Sequence, residues 1–477
     1  MMNMNMKSRP RWLTFLTVFV LVWLGVVWSN KPAGANPPHL GYGANVAEWD
    51  INLLSSMGFD WIKVFNAPGS ALPQHALLRV DANYTHLSNV NGFGNAVQSL
   101  AQNNGAYIDA YEIGNEVNLD ASYGWGASPI AADYKILLCE AYSRIKAVDP
   151  TAIVVSAGLA PTGRVQGNWN GHAGHNGLYQ DEREFLREFL DAEGGACFDA
   201  LGYHPYGYSA DFDATPDVGS SDPTQNCING FCFRGVEKIY EIMDTEYSLG
   251  HKTVWATEFG WIVEPPAHCL SDPSWSGRIW QIVTLEKQAS NLRGAYEYAE
   301  AHYPWMGGLF VFNLNFNMAN YYPECEQMRF YSVQGRPAQT ALTAMPKNAA
   351  ALGAHLYVPV SELSFMIAAA EQPITLPFVV PVGHGGMRDS FSYTATVDNA
   401  AAVVPVLDGA TGTLWPGQEA TITGTIANEA RPQGHHTGTI TISASPGTGN
   451  TPVVIPVQVW VVDEIYRVYV PVLVQGN

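Results

Sequence analysis

From residue 40 to about residue 345 the chain alternates short apolar runs with amphipathic stretches. The runs fall at 40–46, 61–65, 76–80, 110–114, 152–157, 200–204, 253–258 and 308–313. Between them, 133–147, 181–192, 234–248 and 278–302 carry apolar residues at three- and four-residue spacing, the period of a helix with one buried face. Strands interleaved with helices build parallel sheets, because each crossover helix returns the chain to the same end of the sheet. Eight such units close most economically into a barrel, so the expected class is α/β with a (β/α)8 TIM barrel. The stretch 66–75 contains Pro68, Gly69 and Pro73 and cannot hold an ordinary helix, so irregularity is expected between the second and third strands. The rival, an open doubly wound sheet, calls for a glycine-rich phosphate loop after the first strand, and none is present.

Past residue 350 the helical period disappears. Runs rich in Val, Thr and Ile at 374–380, 390–397, 420–426 and 438–444 are separated by Gly, Pro and Asn turns, which predicts an antiparallel β-sandwich of immunoglobulin-like type. The segment Leu-Tyr-Val-Pro-Val at 356–360 is echoed by Val-Tyr-Val-Pro-Val at 468–472, and the proline in each assigns them to linkers or sheet edges. At the other end, Lys7, Arg9 and Arg11 precede an apolar run from Trp12 to Trp28 and then Ala33-Gly34-Ala35. That order is an export signal, with an uncleaved membrane anchor as the alternative. The expected division is 1–35 signal peptide or anchor, 36–350 barrel, 355–465 accessory sandwich and 466–477 tail.

Composition narrows the partners. Against 24 Lys and Arg stand 43 Asp and Glu, and the net charge of −19 argues against nucleic acid, whose binding is built on cations. Fourteen Trp and 23 Tyr offer flat faces with polar edges that suit sugar rings, although most belong to the core. Export places the six cysteines in an oxidising compartment. The pairing expected is Cys227 with Cys232, Cys269 with Cys325, and Cys139 with Cys197; Cys139 as a buried free thiol is the bland reading.

Two stretches carry the chemistry. Tyr-Glu-Ile-Gly-Asn-Glu-Val-Asn at 111–118 and Trp-Ala-Thr-Glu-Phe-Gly-Trp at 255–261 each end a strand-like run on a glutamate, Glu116 and Glu258. Strand alternation puts Ala110, Glu112, Gly114 and Glu116 on one face, and Val254, Ala256 and Glu258 on one face of the seventh strand. Both terminal glutamates then point into the barrel mouth, where such barrels do their chemistry. Glu112 lies about 13 Å deeper by the same count, a buried charge in need of a cation such as Arg79.

The paired glutamates resemble those of clan A glycoside hydrolases, whose two carboxylates stand on strands four and seven. Asn115-Glu116 is similar to the clan's acid/base signature, and the likeness spans about 40–345, nearest to the β-xylosidase and iduronidase family and then to cellulases and mannanases. The resemblance implies Glu116 as general acid/base and Glu258 as nucleophile of a retaining hydrolysis, with carboxyl groups about 5 to 5.5 Å apart. It implies a sugar 2-hydroxyl contact for Asn115, whose bland role is a turn cap. It also implies a nucleophile-holding hydroxyl for Tyr206, next to His204 in Gly-Tyr-His-Pro-Tyr at 202–206, against packing roles for both. Trp261 is a candidate sugar platform or a core aromatic. Two departures from the clan stand out: Asn313 and Asn315 follow strand eight where a tryptophan is common, and Lys63, or Arg79, stands where an arginine is common.

No Gly-x-Ser-x-Gly, His-Glu-x-x-His or P-loop motif is present. His172 and His175 sit in a Gly/Asn-rich segment better suited to a polar substrate loop than to a metal. The sequence therefore points to a secreted retaining O-glycosidase acting on a β-linked glycan as a monomer, without cofactor or metal. Association with a membrane or cell surface would run through the N-terminus. The alternatives are a non-catalytic carbohydrate-binding or adhesion protein on a barrel scaffold, and a sandwich that is itself the glycan binder.

Overall fold

The computed structural model describes residues 36–164, 168–170, 178–371, 375–398, 407–426 and 431–464. The N-terminal apolar run, the His172 and His175 pair and the 468–472 echo lie outside them. Eight parallel strands close into a barrel: β1 Gly41–Asn45, β2 Trp61–Val64, β3 His75–Val80, β4 Ala110–Ile113, β5 Ile153–Ser156, β6 Ala200–Tyr203, β7 Thr253–Phe259 and β8 Met306–Val311. Every predicted apolar run is one of them. Pairing of Gly41 with Gly308 on β8 and of Gly43 with Trp61 on β2 seals the ring.

The lower interior is filled by Trp61, Leu77, Ala110, Val155, Trp255 and Phe310. Gly43 makes this possible, since a Cβ there would collide with the Phe310 ring. These large rings make the barrel a packed core with one open end.

Helices α1 Ile51–Ser56, α2 Val90–Asn104, α3 Ala131–Val148, α4 Glu182–Asp191, α5 Val236–Glu241, α6 Leu285–His302 and α7 Pro337–Ala344 cover the outside. Asp181 caps α4 by accepting the Arg183 and Glu184 amides, as befits an aspartate at a helix start. The predicted helix 278–302 begins only at Leu285, capped by Thr284. Residues 278–283 instead form a short turn at the barrel mouth, with Ile279 and Trp280 exposed rather than facing the core. α2 went unread because its Gly, Asn and Gln content hides the period; burial of Phe93, Val97 and Ala101 holds it. No helix lies between β2 and β3, as the prolines there require. Cys139–Cys197, Cys227–Cys232 and Cys269–Cys325 are paired.

The C-terminal unit is a sandwich of two sheets, with strands β9 Leu356–Tyr357, β10 Leu363–Ala368, β11 Leu376–His384, β12 Phe391–Val397, β13 Leu407–Asp408, β14 Thr411–Leu414, β15 Glu419–Ile426, β16 Gly434–Ala444 and β17 Val453–Val462. One sheet runs β9-β11-β15-β13 and the other β10-β17-β16-β12-β14. The expectation of a wholly antiparallel sandwich is corrected at one place, where β10 runs parallel to β17. The sandwich docks under the barrel. Met387 reaches the bottom of the barrel interior beside Trp61, together with Ala350 and Leu352 of the connecting segment. The upper end is left open.

Candidate active site

Both glutamates arrive at the open end, though not by simple alternation. On β7 the inward residues are Trp255 and Thr257, whereas Val254 and Ala256 face the helices. A step of two residues on β8, from Leu309 to Val311, faces a step of three on β7, from Ala256 to Phe259. This bulge at Thr257 and Glu258 aims both side chains inward, which is how a bulge commonly serves a site. The alternation read from the sequence is therefore corrected for β7. On β4 regular strand ends at Ile113, Gly114 turns at φ +88°, and Glu116 itself stands at φ +42°. A non-glycine residue in that region is held there by its surroundings. The Glu116 amide donates to Gly158, and the Asn118 side chain pins the following loop by bonding Ala160 and Gln180.

One carboxylate oxygen of Glu116 and one of Glu258 lie within 4.8 Å of each other, with a ring nitrogen of His204 inside the same radius. Glu116 keeps 15% of its side chain exposed and Glu258 9%, whereas Glu112 keeps none. Lys63 Nζ is 3.1 Å from Glu258 Oε1 and 2.7 Å from Glu112 Oε2, so one ammonium serves two carboxylates. This corrects the pairing of Glu112 with Arg79, whose partner is Asp81 at 3.2 Å. It also corrects the depth of Glu112: the single imidazole of His204 reaches Glu116 Oε1 at 2.9 Å and comes to 3.8 Å from Glu112 Oε1. The turn at Gly114 shortens the rise that an extended strand would give.

The protons can be assigned by counting donors. Thr257 Oγ1 donates to Glu112 Oε1 at 2.6 Å, which uses its only hydrogen. His204 Nε2, 3.1 Å from Thr257 Oγ1, must then donate to it. The other ring nitrogen, Nδ1, lies 2.9 Å from Glu116 Oε1 and donates to it when the ring is protonated. Burial alone would lower the His204 value, but Glu258, Glu112 and Glu116 around it raise it to about 9. Burial would raise Glu112, and Lys63 with His204 instead holds it at about 2. Glu258 is likewise lowered against burial by Lys63 and His204, and Tyr206 donates to its Oε2 at 2.8 Å. Glu116, His204 and Glu258 present a possible ligand trio, but their facing atoms are engaged with one another, and Lys63 puts a positive charge on Glu258. At the other trio, His268, Cys269 and Cys325, the sulfurs are bonded together.

The cleft above these groups has a volume of about 630 Å³. Glu116, Glu258, Asn115 and Tyr206 line it. Asn115 donates one amide hydrogen to the Tyr123 carbonyl at 3.0 Å. His204 lies beneath the cleft floor, fully buried, so it acts on the carboxylates and not on a ligand. Trp261 is moved out of the site: it is fully buried among Phe233 and Phe259, and its Nε1 donates to the Ala210 carbonyl. Asn313 is moved out too. It is buried and pins the β8 loop through Met328, Phe316 and Ser332, while Asn315 clamps Ala47 and Glu48. The aromatic at the end of β8 is Phe312, one residue before Asn313.

Most of the cleft wall was missed by sequence reading. One end carries Tyr208, Phe231 and Trp280, with Tyr208 and Trp280 stacked at 5.5 Å. The other carries Phe65, Phe316 and Tyr322, with Phe316 and Tyr322 stacked at 5.0 Å. These residues come from loops without a period, and only their aromatic character could have flagged them. The glutamates stand on β4 and β7, and the two aromatic ends follow β6 with β7 and β2 with β8. Arg278 also lines the wall; burial opposes its charge, and Tyr331, Tyr123 and Tyr208 favour it.

No family model matches the chain, and no curated protein matches it in sequence. In structure it is similar to β-glucuronidase 2 from Bacteroides uniformis covalently bound to cyclophellitol-6-carboxylate aziridine, at 12% identity and TM-score 0.40, over 86% of this chain and 43% of that one. It is also similar to an endo-β-1,3-glucanase from Amycolatopsis mediterranei in complex with laminaritriose, at 14% identity and TM-score 0.39, over 65% of this chain and 100% of that one. A glucosidase from Croceicoccus marinus is similar at 11% identity and TM-score 0.44, over 84% and 98%. The chain thus spans less than half the length of the β-glucuronidase it resembles.

Proposed function

We propose that the protein is an exported retaining O-glycosidase acting on a β-linked glycan, with Glu258 as nucleophile and Glu116 as general acid/base. The observation that carries the reading is the spacing of the two carboxylates, within 4.8 Å oxygen to oxygen. Retaining enzymes hold them about 5 to 5.5 Å apart, whereas inverting ones leave about 6.5 to 9.5 Å for a water. Their surroundings divide the labour. Glu258 is held ionised by Lys63 and Tyr206, as an attacking carboxylate must be, and Glu116, the more exposed of the two, meets His204 Nδ1 at 2.9 Å.

In the first step Glu258 attacks the anomeric carbon, the bond from that carbon to the leaving oxygen breaks, and Glu116 protonates that oxygen. In the second, Glu116 takes a proton from water, whose oxygen attacks the same carbon and releases Glu258. Three disulfides support the exported reading. Among the described residues no helix is long and apolar enough to cross a membrane.

The test is reducing-sugar release over a panel of polysaccharides and aryl glycosides. Glu258→Ala and Glu116→Ala are each expected to lose at least about 10² to 10⁴ in kcat. Azide should restore Glu258→Ala by taking the nucleophile's place. Full activity in either variant would overturn the assignment.

A further inference from the structure

Among the described residues three cations approach the cleft, and two are already engaged. Lys63 is held by Glu112 and Glu258. Arg79 pairs with Asp81 and lies over the Phe65 ring, 4.7 Å from its centroid. Arg278 differs: among the described residues no carboxylate pairs with it, and its Nε is buried without a hydrogen-bond partner. Its neighbours are the phenols Tyr331, Tyr123 and Tyr208, with Glu116 the acid that acts on it. The guanidinium is partly exposed to the cleft and bonds the Tyr331 phenol, but its buried Nε has no acceptor, a cost that an anion arriving in the cleft would offset.

The position of Arg278 fixes which part of a glycan it would meet. This step rests on the assignment of Glu116 as the acid. The acid stands on the leaving-group side of the scissile bond; Glu116, and not Glu258, is among the groups acting on Arg278 together with Tyr123 and Tyr208, and Trp280 stacks on Tyr208. We propose that the leaving-group side of the cleft takes an acidic sugar, a uronate, whose carboxylate pairs with the Arg278 guanidinium. The planar fork of arginine matches a carboxylate with two parallel hydrogen bonds, and the aromatic rings beside it receive the sugar face. With a net charge of −19 the molecule repels acidic glycans at long range, so a contact at short range has to make the selection.

Calorimetric titration of the full-length Glu258→Ala protein tests this without turnover. The probes are methyl β-glucuronide and methyl β-galacturonide, each against its neutral glucoside or galactoside, with glucose 6-sulfate alongside. At least one uronide is expected to bind about tenfold or more tightly than its neutral partner. That ratio should fall to within about twofold when Arg278→Met is added and recover in part with Arg278→Lys. Equal binding of acid and neutral sugars would overturn the proposal, as would a preference that survives Arg278→Met, or tighter binding of the sulfate than of both uronides. If Arg278→Met does not fold, the Arg278→Lys ratio decides, and an unchanged ratio there would overturn the proposal. A uronide preference lost in Arg278→Met, with no hydrolysis of any glycan by the unsubstituted protein, would remove the hydrolase reading and with it the leaving-group assignment, and would leave only the pairing of Arg278 with a uronate.

Discussion

Lys63 sets the charge balance of the site, because its ammonium is the cation in contact with both Glu112 and Glu258. An arginine could bind one carboxylate with two parallel bonds; a lysine's point charge can be shared between two carboxylates on adjacent layers. Replacing it by methionine leaves buried carboxylates without compensation, and losing one partner of such a cluster costs about 3 to 5 kcal/mol. Lys63→Met is therefore expected to lower the urea midpoint sharply. It should also raise the value of Glu258, moving the acid limb of kcat/KM to higher pH. An unmoved limb would show that Glu258 is held ionised by something else. Glu112, which shares a sequence motif with Glu116, has a structural part: it anchors Lys63 and Thr257 below the floor.

At the scale of elements, the site depends on two departures from regular strand. The β7 bulge turns Thr257 and Glu258 to the same side, and the turn at Gly114 brings Glu116 within an imidazole's reach of Glu112. Between them lies the β5 end, where Gly158 has no side chain because His204 Nε2 and Thr257 Oγ1 occupy that space. Gly158→Ala should push the imidazole away from Glu116. The expected result is a loss of more than about tenfold in kcat, with a smaller change in KM, since the cleft wall is untouched. Equal loss in both would mean the cleft itself had moved. The short turn of residues 278–283, which the helical period assigned to a longer α6, belongs with these departures, because it carries Arg278 and Trp280 to the wall.

At the scale of the whole molecule, buried charges give stability a pH dependence with a definite sign. His204 is raised from 6.5 to about 9, so its contribution is complete below about pH 6.5 and is lost as pH rises through 9. Burial pushes Glu182 to about 7 and Asp60 to about 6, so ionising them costs more in the folded chain, and this also weakens it as pH rises. Glu112, lowered from 4.5 to about 2, works in the opposite direction: its contribution is present above about pH 4.5 and lost as pH falls toward 2. Urea titrations should therefore give the highest midpoint near about pH 4.5, with a decline through about pH 6 to 7 from Asp60 and Glu182 and a further one by about pH 9 from His204. A midpoint that rises from pH 6 to 9 would show that His204 is neutral in the folded protein. The sandwich meets the lower end of the barrel through Met387 and supplies no lining residue to the cleft.

The sequence alone determined the eight strands, the barrel followed by a sandwich, and that Glu116, Glu258 and Tyr206 fall at the ends of the fourth, seventh and sixth strands. These are properties of local period and of residue type at strand ends, and neighbouring residues suffice to encode them. The cysteine pairs, 58 and 56 residues apart in two cases, are one of fifteen connectivities, and only the fold decides them. Tertiary structure alone decided which cation meets which carboxylate, that Trp261 and Asn313 belong to the core, and that Tyr208, Trp280 and Arg278 form the cleft wall. Each of these depends on contacts between residues far apart in the chain. A tryptophan three residues past a glutamate reads the same in sequence whether it faces a sugar or Phe233; only the bulge at Thr257 and Glu258, set by pairing with β8, turns one inward and leaves the other packed outside.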